Sequence, residues 1–330
     1  MTQALRKMRN STFFSEICSI ENLKIAFYKA SRRKRNSSSY LYFRKNAEVN
    51  VLKIQENLLN GTWKCGNYRQ FKITDPKERI ITAAPFDDRI VHHAIVNVLE
   101  SLFEKKFIFH TYACRGGKGT HAAIKYAKKF CSKRMFFLKL DVKKYFDSID
   151  HAILKSQLSA LTNERKTQDL LAKIIDSYTS QSAKKKNEQK GLPIGNLTSQ
   201  YFANLYLSAL DHAILEKMKP RGYVRYMDDM LIFSHSVEHL TQIHAQITEF
   251  VESRLLLTLK PPVFGRCDLG IPFLGKLITK KEIRALAEKV RLKKKKIKKI
   301  DFLVRHRKID EAKAAERINA ILADAQILRE

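Results

Sequence analysis

Two aspartates stand side by side in the tetrapeptide Tyr226-Met227-Asp228-Asp229, between the apolar, β-rich runs 222–225 and 230–233. Adjacent carboxylates at a hairpin tip repel each other, and a tight acidic turn of this kind invites a divalent cation. A solvated turn would use aspartate as well, so the tetrapeptide alone leaves both readings open. A third aspartate, Asp141, closes the hydrophobic run 136–140. At the end of a strand its carboxylate leaves the sheet edge while its neighbours are buried. Neighbouring strands lie about 5 Å apart, so Asp141 and the Asp228 turn can converge on one pair of ions. Two ions roughly 4 Å apart suit in-line phosphoryl transfer, one lowering the pKa of an attacking hydroxyl and the other steadying the leaving pyrophosphate. Mg²⁺ takes few protein carboxylates and keeps places for substrate phosphates, which matches this sparse set.

Such residues need a scaffold, and the apolar spacing predicts one. Strands are expected over 135–142, 223–226 and 230–234, a helix over 196–210, another over 237–254, and a strand-like run over 271–278. Strands alternating with helices fit an α+β sheet covered on one face. Upstream, Leu23, Phe27 and Tyr28 mark one helix and Val51, Ile54 and Leu58 a second, which Asn60-Gly61 stops. The basic, serine-rich stretch 31–39 between them reads as a solvated loop. Runs 68–73 and 79–83, joined by Thr74-Asp75-Pro76-Lys77-Glu78, read as a hairpin. Helices are expected over 88–103 and 121–130, on either side of Arg115-Gly116-Gly117-Lys118-Gly119. Asp147, Asp150 and His151 cap the helix that carries Ile153 and Leu154. The last fifty residues change character: 289–299 is strongly basic, and Ile318, Ile321, Leu322, Ala325 and Leu328 form one apolar helical face.

Charge narrows the partners. The 330 residues include 63 Lys+Arg against 33 Asp+Glu, a net charge of +30, with 44% hydrophobic content. That content supports one large core or two modest ones and excludes a disordered chain. A surplus of positive charge attracts polyanions, above all nucleic acid, because neutralising phosphates releases condensed counterions. No stretch approaches the length that spans a bilayer. The N-terminus, Met1-Thr2-Gln3-Ala4-Leu5-Arg6, has no apolar signal-peptide core, so the reading is a cytoplasmic protein. Cys18, Cys65, Cys114, Cys131 and Cys267 are scattered singly, which argues against a disulfide framework and a zinc site.

The Asp141 segment and the Tyr226-Met227-Asp228-Asp229 box resemble motifs A and C of reverse transcriptases, and Gly191-Leu192-Pro193-Ile194-Gly195-Asn196-Leu197-Thr198-Ser199-Gln200 resembles motif B. Lys77-Glu78-Arg79-Ile80 looks like the fingers hairpin, and Phe273-Leu274-Gly275 like the primer-grip turn. Tyr112-Ala113-Cys114-Arg115, with Gly119-Thr120-His121-Ala122-Ala123, is similar to a segment of bacterial reverse transcriptases. The resemblance implies an α+β right-hand polymerase, with fingers and an N-terminal helical extension over 1–133, palm over 134–275 (a fingers/palm segment near 155–195) and a helical thumb over 276–330. It implies two Mg²⁺ ions on Asp141, Val142, Asp228 and Asp229, with Asp141, Asp228 and Asp229 catalytic. Substrate contacts are implied at Arg79, Val142, Phe146, Ile194, Gly195, Gln200, Tyr226, Met227 and Lys260. Arg79 can grip the incoming triphosphate with a bidentate fork, or serve as a surface ion-pair partner. Phe146, five residues after Asp141, would clash with a ribose 2′-OH, or is an ordinary core ring. Lys260 is a candidate for protonating pyrophosphate.

Motif B departs from the retroviral and group II intron pattern, which carries Gln before the glycine and ends Ser-Pro; here Ile194 and Gln200 hold those places. That pattern is similar to reverse transcriptases of diversity-generating retroelements, bacterial and phage systems that mutate a target gene through error-prone cDNA. The resemblance implies misincorporation opposite template adenines. It implies as partners a template RNA, primer or cDNA, dNTPs and an accessory variability protein oligomer. Other bacterial reverse transcriptases (retron, abortive-infection, group II intron-like) and a non-catalytic nucleic-acid-binding relative are the alternatives. The lysine cluster 293–299 is either a duplex-contacting thumb face or a merely soluble helix.

Overall fold

In the computed structural model, residues 12–73, 79–132, 134–180 and 189–326 are described. The chain opens with four helices: α1 (Phe13–Ile17), α2 (Ile20–Ser31), α3 (Ser38–Lys45) and α4 (Ala47–Leu59). Ser19 and Ser37 cap α2 and α3, their side chains accepting the Asn22 and Tyr40 N–H groups. The serine-rich stretch is therefore shorter as a loop than its composition suggests. Ser38 and Ser39 enter a helix because Ser37 supplies its cap. Asn60-Gly61 ends α4, with Gly61 at φ 70°.

A two-stranded antiparallel hairpin follows, β1 (Arg69–Ile73) and β2 (Arg79–Ala83). Its connecting turn, with Lys77 and Glu78, lies outside the described residues. Then come α5 (Phe86–Lys106) and α6 (Thr120–Lys128). Asp87 and Asp88 sit in the first turn of α5 and Lys105 and Lys106 in its last, each matching the helix dipole. α5 is the central pillar, buried on Ile90, Val91, Ala94, Ile95, Leu99 and Phe103 and packed by α1 and α2.

The main sheet runs in the order β4 (Gly222–Tyr226), β5 (Asp229–Ser234), β3 (Phe136–Leu140), β6 (Val263–Arg266), all antiparallel. Between β3 and β4 lie α7 (Tyr145–Ser148), α8 (His151–Ser159), α9 (Arg165–Asp176), α10 (Leu197–Tyr206) and α11 (Ser208–Ala213). Of the three residues expected to cap α8, Asp150 does, its side chain accepting from the Ala152 and Ile153 N–H groups, while His151 is the helix's first residue and Asp147 lies within α7. The single helix expected over 196–210 is broken at Leu207, where α10 gives way to α11.

After β5, α12 (Val237–Arg254) returns across the sheet and packs on β3 and β5. The strand-like run over 271–278 is a hairpin, β7 (Ile271–Phe273) and β8 (Lys276–Ile278), extended by β9 (Ile283–Ala285). Two helices, α13 (Ala287–Arg305) and α14 (Glu311–Gln326), pack against each other and carry the basic stretch.

Helix cover on one face of the main sheet is corrected by the structure: both faces are covered. Leu138, Leu140, Met230 and Ile232 join the large core with α5, α10 and α12. Phe137, Val224, Leu231 and Phe233 pack into a second cluster with α6 and with Ile271, Phe273 and Ile278. The reason is legible in β5, where Met230, Leu231, Ile232 and Phe233 are all apolar and all 0% exposed. A strand buried on both faces reads as a continuous apolar run, not an alternating one. No helix among the described residues is long and apolar enough to cross a membrane.

Candidate active site

The register of two strands brings the acidic residues together. Leu140 pairs with Met230 across β3 and β5, so Asp141, one residue further on, faces Asp229 at the same end of the sheet. Tyr226 pairs with Asp229, leaving Met227 and Asp228 as a two-residue hairpin turn. Met227 takes φ 56° there. Two-residue hairpins favour turns with positive φ because their twist matches that of the strands, and a non-glycine pays strain for it. The Tyr226 hydroxyl lies 3.3 Å from Thr120 Oγ1, which donates to it. Beyond β3, Val142 bridges Leu259. That bridge uses the flanking groups, Lys260 N–H donating to the Asp141 carbonyl and Lys143 N–H to the Thr258 carbonyl, both at 2.8 Å. The Val142 carbonyl is thus left out of the pairing.

Electrostatics at this end are only partly compensated. Burial, and then the Asp141 charge, push Asp228 up to about 6, with Asp141 within hydrogen-bonding reach. Burial also pushes Asp229 up to about 7; Lys139 opposes the shift and Asp141 adds to it. Two lysines act as counterions: Lys260 Nζ lies 2.7 Å from Asp141 Oδ1 and Lys139 Nζ 3.5 Å from Asp229 Oδ2. Asp229 Oδ1 is buried without a hydrogen-bond partner. A desolvated carboxylate oxygen without a donor is costly, and a cation would relieve it. The donors are all oxygen, the set a hard divalent ion prefers. Among the described residues no three acidic, His or Cys side chains form a group able to hold an ion unaided. An ion here would need backbone or substrate oxygens to complete its shell. On these grounds the residues fit a divalent cation.

The motif B loop meets both this region and the β1–β2 hairpin. Leu192 N–H donates to the Phe146 carbonyl at 2.8 Å, and Thr82 N–H donates to the Ile194 carbonyl at 2.9 Å. Phe146 is half-buried beside Tyr145, ring centroids 5.8 Å apart. Gly195 takes φ 136°, and a Cβ there would stand 3.0 Å from the Thr82 carbonyl oxygen. Asn196 ties this end of the loop to Tyr68, its Nδ2 donating to the Tyr68 hydroxyl at 3.3 Å. Gln200 is half-buried in the first turns of α10. Arg79 begins β2 opposite Ile73, in the strand that bonds to Ile194, and its side chain lies outside the described residues. The structure therefore gathers Asp141, Val142, Asp228, Asp229 and Lys260 at one point. Phe146, Ile194 and Gly195 adjoin through backbone bonds.

Arg225 was missed at the level of sequence. Its guanidinium is fully buried, donating to Asp211 (Nε to Oδ1 2.7 Å, Nη2 to Oδ2 2.5 Å), to Asn204 (Nη1 to Oδ1 3.2 Å, Nη2 to the carbonyl 3.1 Å) and, through Nη1, to the Met227 carbonyl at 3.0 Å. The signal was present: one charged residue inside the otherwise apolar strand 222–225, and one acid, Asp211, in an apolar helix.

An antiparallel sheet with an acidic turn at one end and helices across it is the palm of a right-hand polymerase. Solved telomerase structures share the fold: apo telomerase from Candida tropicalis (TM-score 0.51, 11% identity, 67% of this chain and 49% of that one) and telomerase from Candida albicans in complex with a fragment of telomeric RNA (0.50, 14%, 67% and 46%). Residues 72–261, more than half of the chain, match the family model described as "Reverse transcriptase (RNA-dependent DNA polymerase)", and the chain belongs to that family. Group II intron-encoded protein LtrA of Lactococcus lactis is 28% identical over 177 residues, covering 52% of this chain and 30% of that protein. Protein YkfC of Escherichia coli is 23% identical over 188 residues, covering 55% and 49%. The chain thus spans half or less of the length of these relatives.

Proposed function

We propose that the chain is an RNA-directed DNA polymerase whose catalytic carboxylates are Asp141, Asp228 and Asp229. The observation that carries this is their meeting at one end of the β3–β5 pair, with a buried Asp229 oxygen left without a donor. Divalent ions, Mg²⁺ in the first instance, would be held by those carboxylates and the Val142 carbonyl, and would supply activation of the primer 3′-hydroxyl and charge stabilisation on the phosphates. The protein's own groups do the rest. Arg79, on the hairpin tied to motif B, grips the triphosphate. Phe146 closes the space a 2′-OH would need. Ile194, Gly195 and Gln200 back the new base pair, and Tyr226 and Met227 the primer end. Lys260, already on Asp141, is placed to give its proton to the leaving pyrophosphate. We assign fingers to 1–133, palm to 134–275 and thumb to 276–330, with template RNA, primer and dNTPs as partners. Incorporation of dNTPs on a primed RNA by the wild type, dependent on divalent cation and absent in Asp228→Ala, is the expected result. An inert wild type, or an active Asp228→Ala, overturns the assignment.

The finer reading is a mutagenic polymerase of a diversity-generating retroelement, working with an accessory protein oligomer. Ile194 in place of Gln removes polar contacts beside the base pair, and Gln200 in place of Pro removes a restraint on the start of α10. Both loosen the geometric check on which selectivity depends. Single-nucleotide incorporation on RNA templates tests it: frequent errors opposite adenine, reduced by Ile194→Gln, support the reading, and unchanged errors overturn this account of them. The similarity to group II intron proteins favours a second reading, an intron-type enzyme. It predicts faithful copying of adenine by the wild type.

A further inference from the structure

The Arg225–Asp211 pair is fully buried, both side chains 0% exposed. Taking two charges out of water carries a desolvation penalty that mutual attraction often only matches, so a buried pair is weak evidence of stabilisation. Its geometry suggests a different purpose. The guanidinium is rigid and planar, with its donors in a fixed fork. One edge is anchored on Asp211, which also accepts from the Tyr223 hydroxyl at 2.7 Å and from Thr111 Oγ1 at 3.3 Å. A second donor pair is anchored on Asn204, whose Nδ2 donates to the Ala113 carbonyl at 2.8 Å. With the cation clamped on α10, α11 and the 111–113 segment, the remaining direction of Nη1 meets the Met227 carbonyl at 3.0 Å. That carbonyl belongs to the residue held at φ 56°, immediately before Asp228.

A two-residue turn whose first residue is strained can relax by rotating its peptide planes, and such rotation would swing the Asp228 carboxylate away from Asp141. We infer that Arg225, oriented by Asp211 and Asn204, is the positioning residue that holds the Met227 peptide and thereby fixes Asp228 against Asp141. It touches neither substrate nor ion. The inference rests on the proposed catalytic role of Asp228 and Asp229. Groups that orient the residues of a metal site in this way are typically worth about 10–100-fold in activity or metal affinity.

The test uses the full chain with two variants. Arg225→Lys keeps a buried charge pair, but one ammonium cannot span Asp211, Asn204 and Met227. Arg225→Met/Asp211→Asn removes both charges, fills the space and leaves an acceptor for Tyr223. Four quantities are read: thermal midpoint, affinity for a primed RNA template, steady-state kcat and dNTP KM, and Mn²⁺ binding followed by electron paramagnetic resonance. Expected in every variant that folds is a kcat lower by about 10–100-fold with weaker Mn²⁺ binding, while template affinity and KM stay within about twofold. A folded variant with wild-type kcat and Mn²⁺ binding overturns the inference. So does failure of both variants to fold, which assigns the pair to stability alone. Asp228→Ala in parallel separates the two levels: if it remains active the catalytic assignment itself fails, whatever Arg225 does.

Discussion

Thr82 N–H donates to the Ile194 carbonyl at 2.9 Å. Through this one bond the strand that begins at Arg79 and the loop that precedes α10 form a continuous backbone surface, so the proposed triphosphate grip and the proposed base-pair support would be coupled. Gly195 eases the approach, since its φ of 136° and the 3.0 Å gap from a Cβ to the Thr82 oxygen both disfavour a side chain.

Gly195→Ala therefore strains the seam. A residue forced into a sparsely populated backbone region costs roughly 1–3 kcal/mol. The expected outcome is a fall of about tenfold or more in kcat/KM for dNTP, with template affinity preserved. Steady-state kinetics and a filter-binding titration check it; wild-type efficiency contradicts the coupling.

Phe146→Val tests sugar selection. If the ring excludes a 2′-OH, its loss should raise the ratio of ribonucleotide to deoxynucleotide kcat/KM by about tenfold or more, a difference of roughly 1.4 kcal/mol. A ring that serves only the core would lower the melting temperature and leave that ratio where it was.

The acidic end should be a stability cost without cation. Asp228 is pushed up to about 6 by burial and by Asp141, so at pH 8 the folded protein holds it ionised at a free-energy cost that the unfolded chain does not carry. Asp228→Asn should stabilise the protein in EDTA by about 1–3 kcal/mol while abolishing synthesis. Adding Mg²⁺ should raise the melting temperature of the wild type more than that of the variant. Equal melting temperatures in EDTA would contradict this view of the site.

His92 sets an acid limit. It is fully buried beside Thr198 of motif B, 2.8 Å from Nδ1 to Oγ1, and burial lowers it to about 3. Because the folded pKa lies below the ordinary 6.5, the unfolded chain binds the extra proton between those values. Stability is full above pH 6.5 and declines as pH falls toward 3. Between pH 7.5 and 5 this group alone should remove roughly 2 kcal/mol. Urea unfolding of wild type and His92→Gln at the two pH values measures it, and parallel slopes would rule the group out.

Local patterns carried much of the fold. Asp150 as a cap, the Gly61 stop, the hairpin around Asp228 and α12 are decided by neighbours within a few residues, where caps and side-chain periodicity act. The same patterns misjudged Ser38 and Ser39, because a polar residue just inside a helix and one in a loop look alike without knowing what Ser37 accepts. The strand β6 went unread: its residues are largely exposed, and it is defined by pairing with β3, not by an apolar run.

What the residue order alone determined was the inventory: three aspartates of the right kind at strand ends and a turn, a basic surplus of +30, and motifs in a recognisable order. The tertiary structure decided which distant segments meet. Asp141 faces Asp229 only because β3 and β5 pair in one register, and a slip of one residue would turn every side chain to the other face. Lys260 reaches Asp141, and Arg225 reaches Asp211 and Met227, through contacts that no local propensity encodes. Burial is collective: whether a charged side chain lies in water or in the core depends on everything packed around it, and a strand's own sequence does not record that.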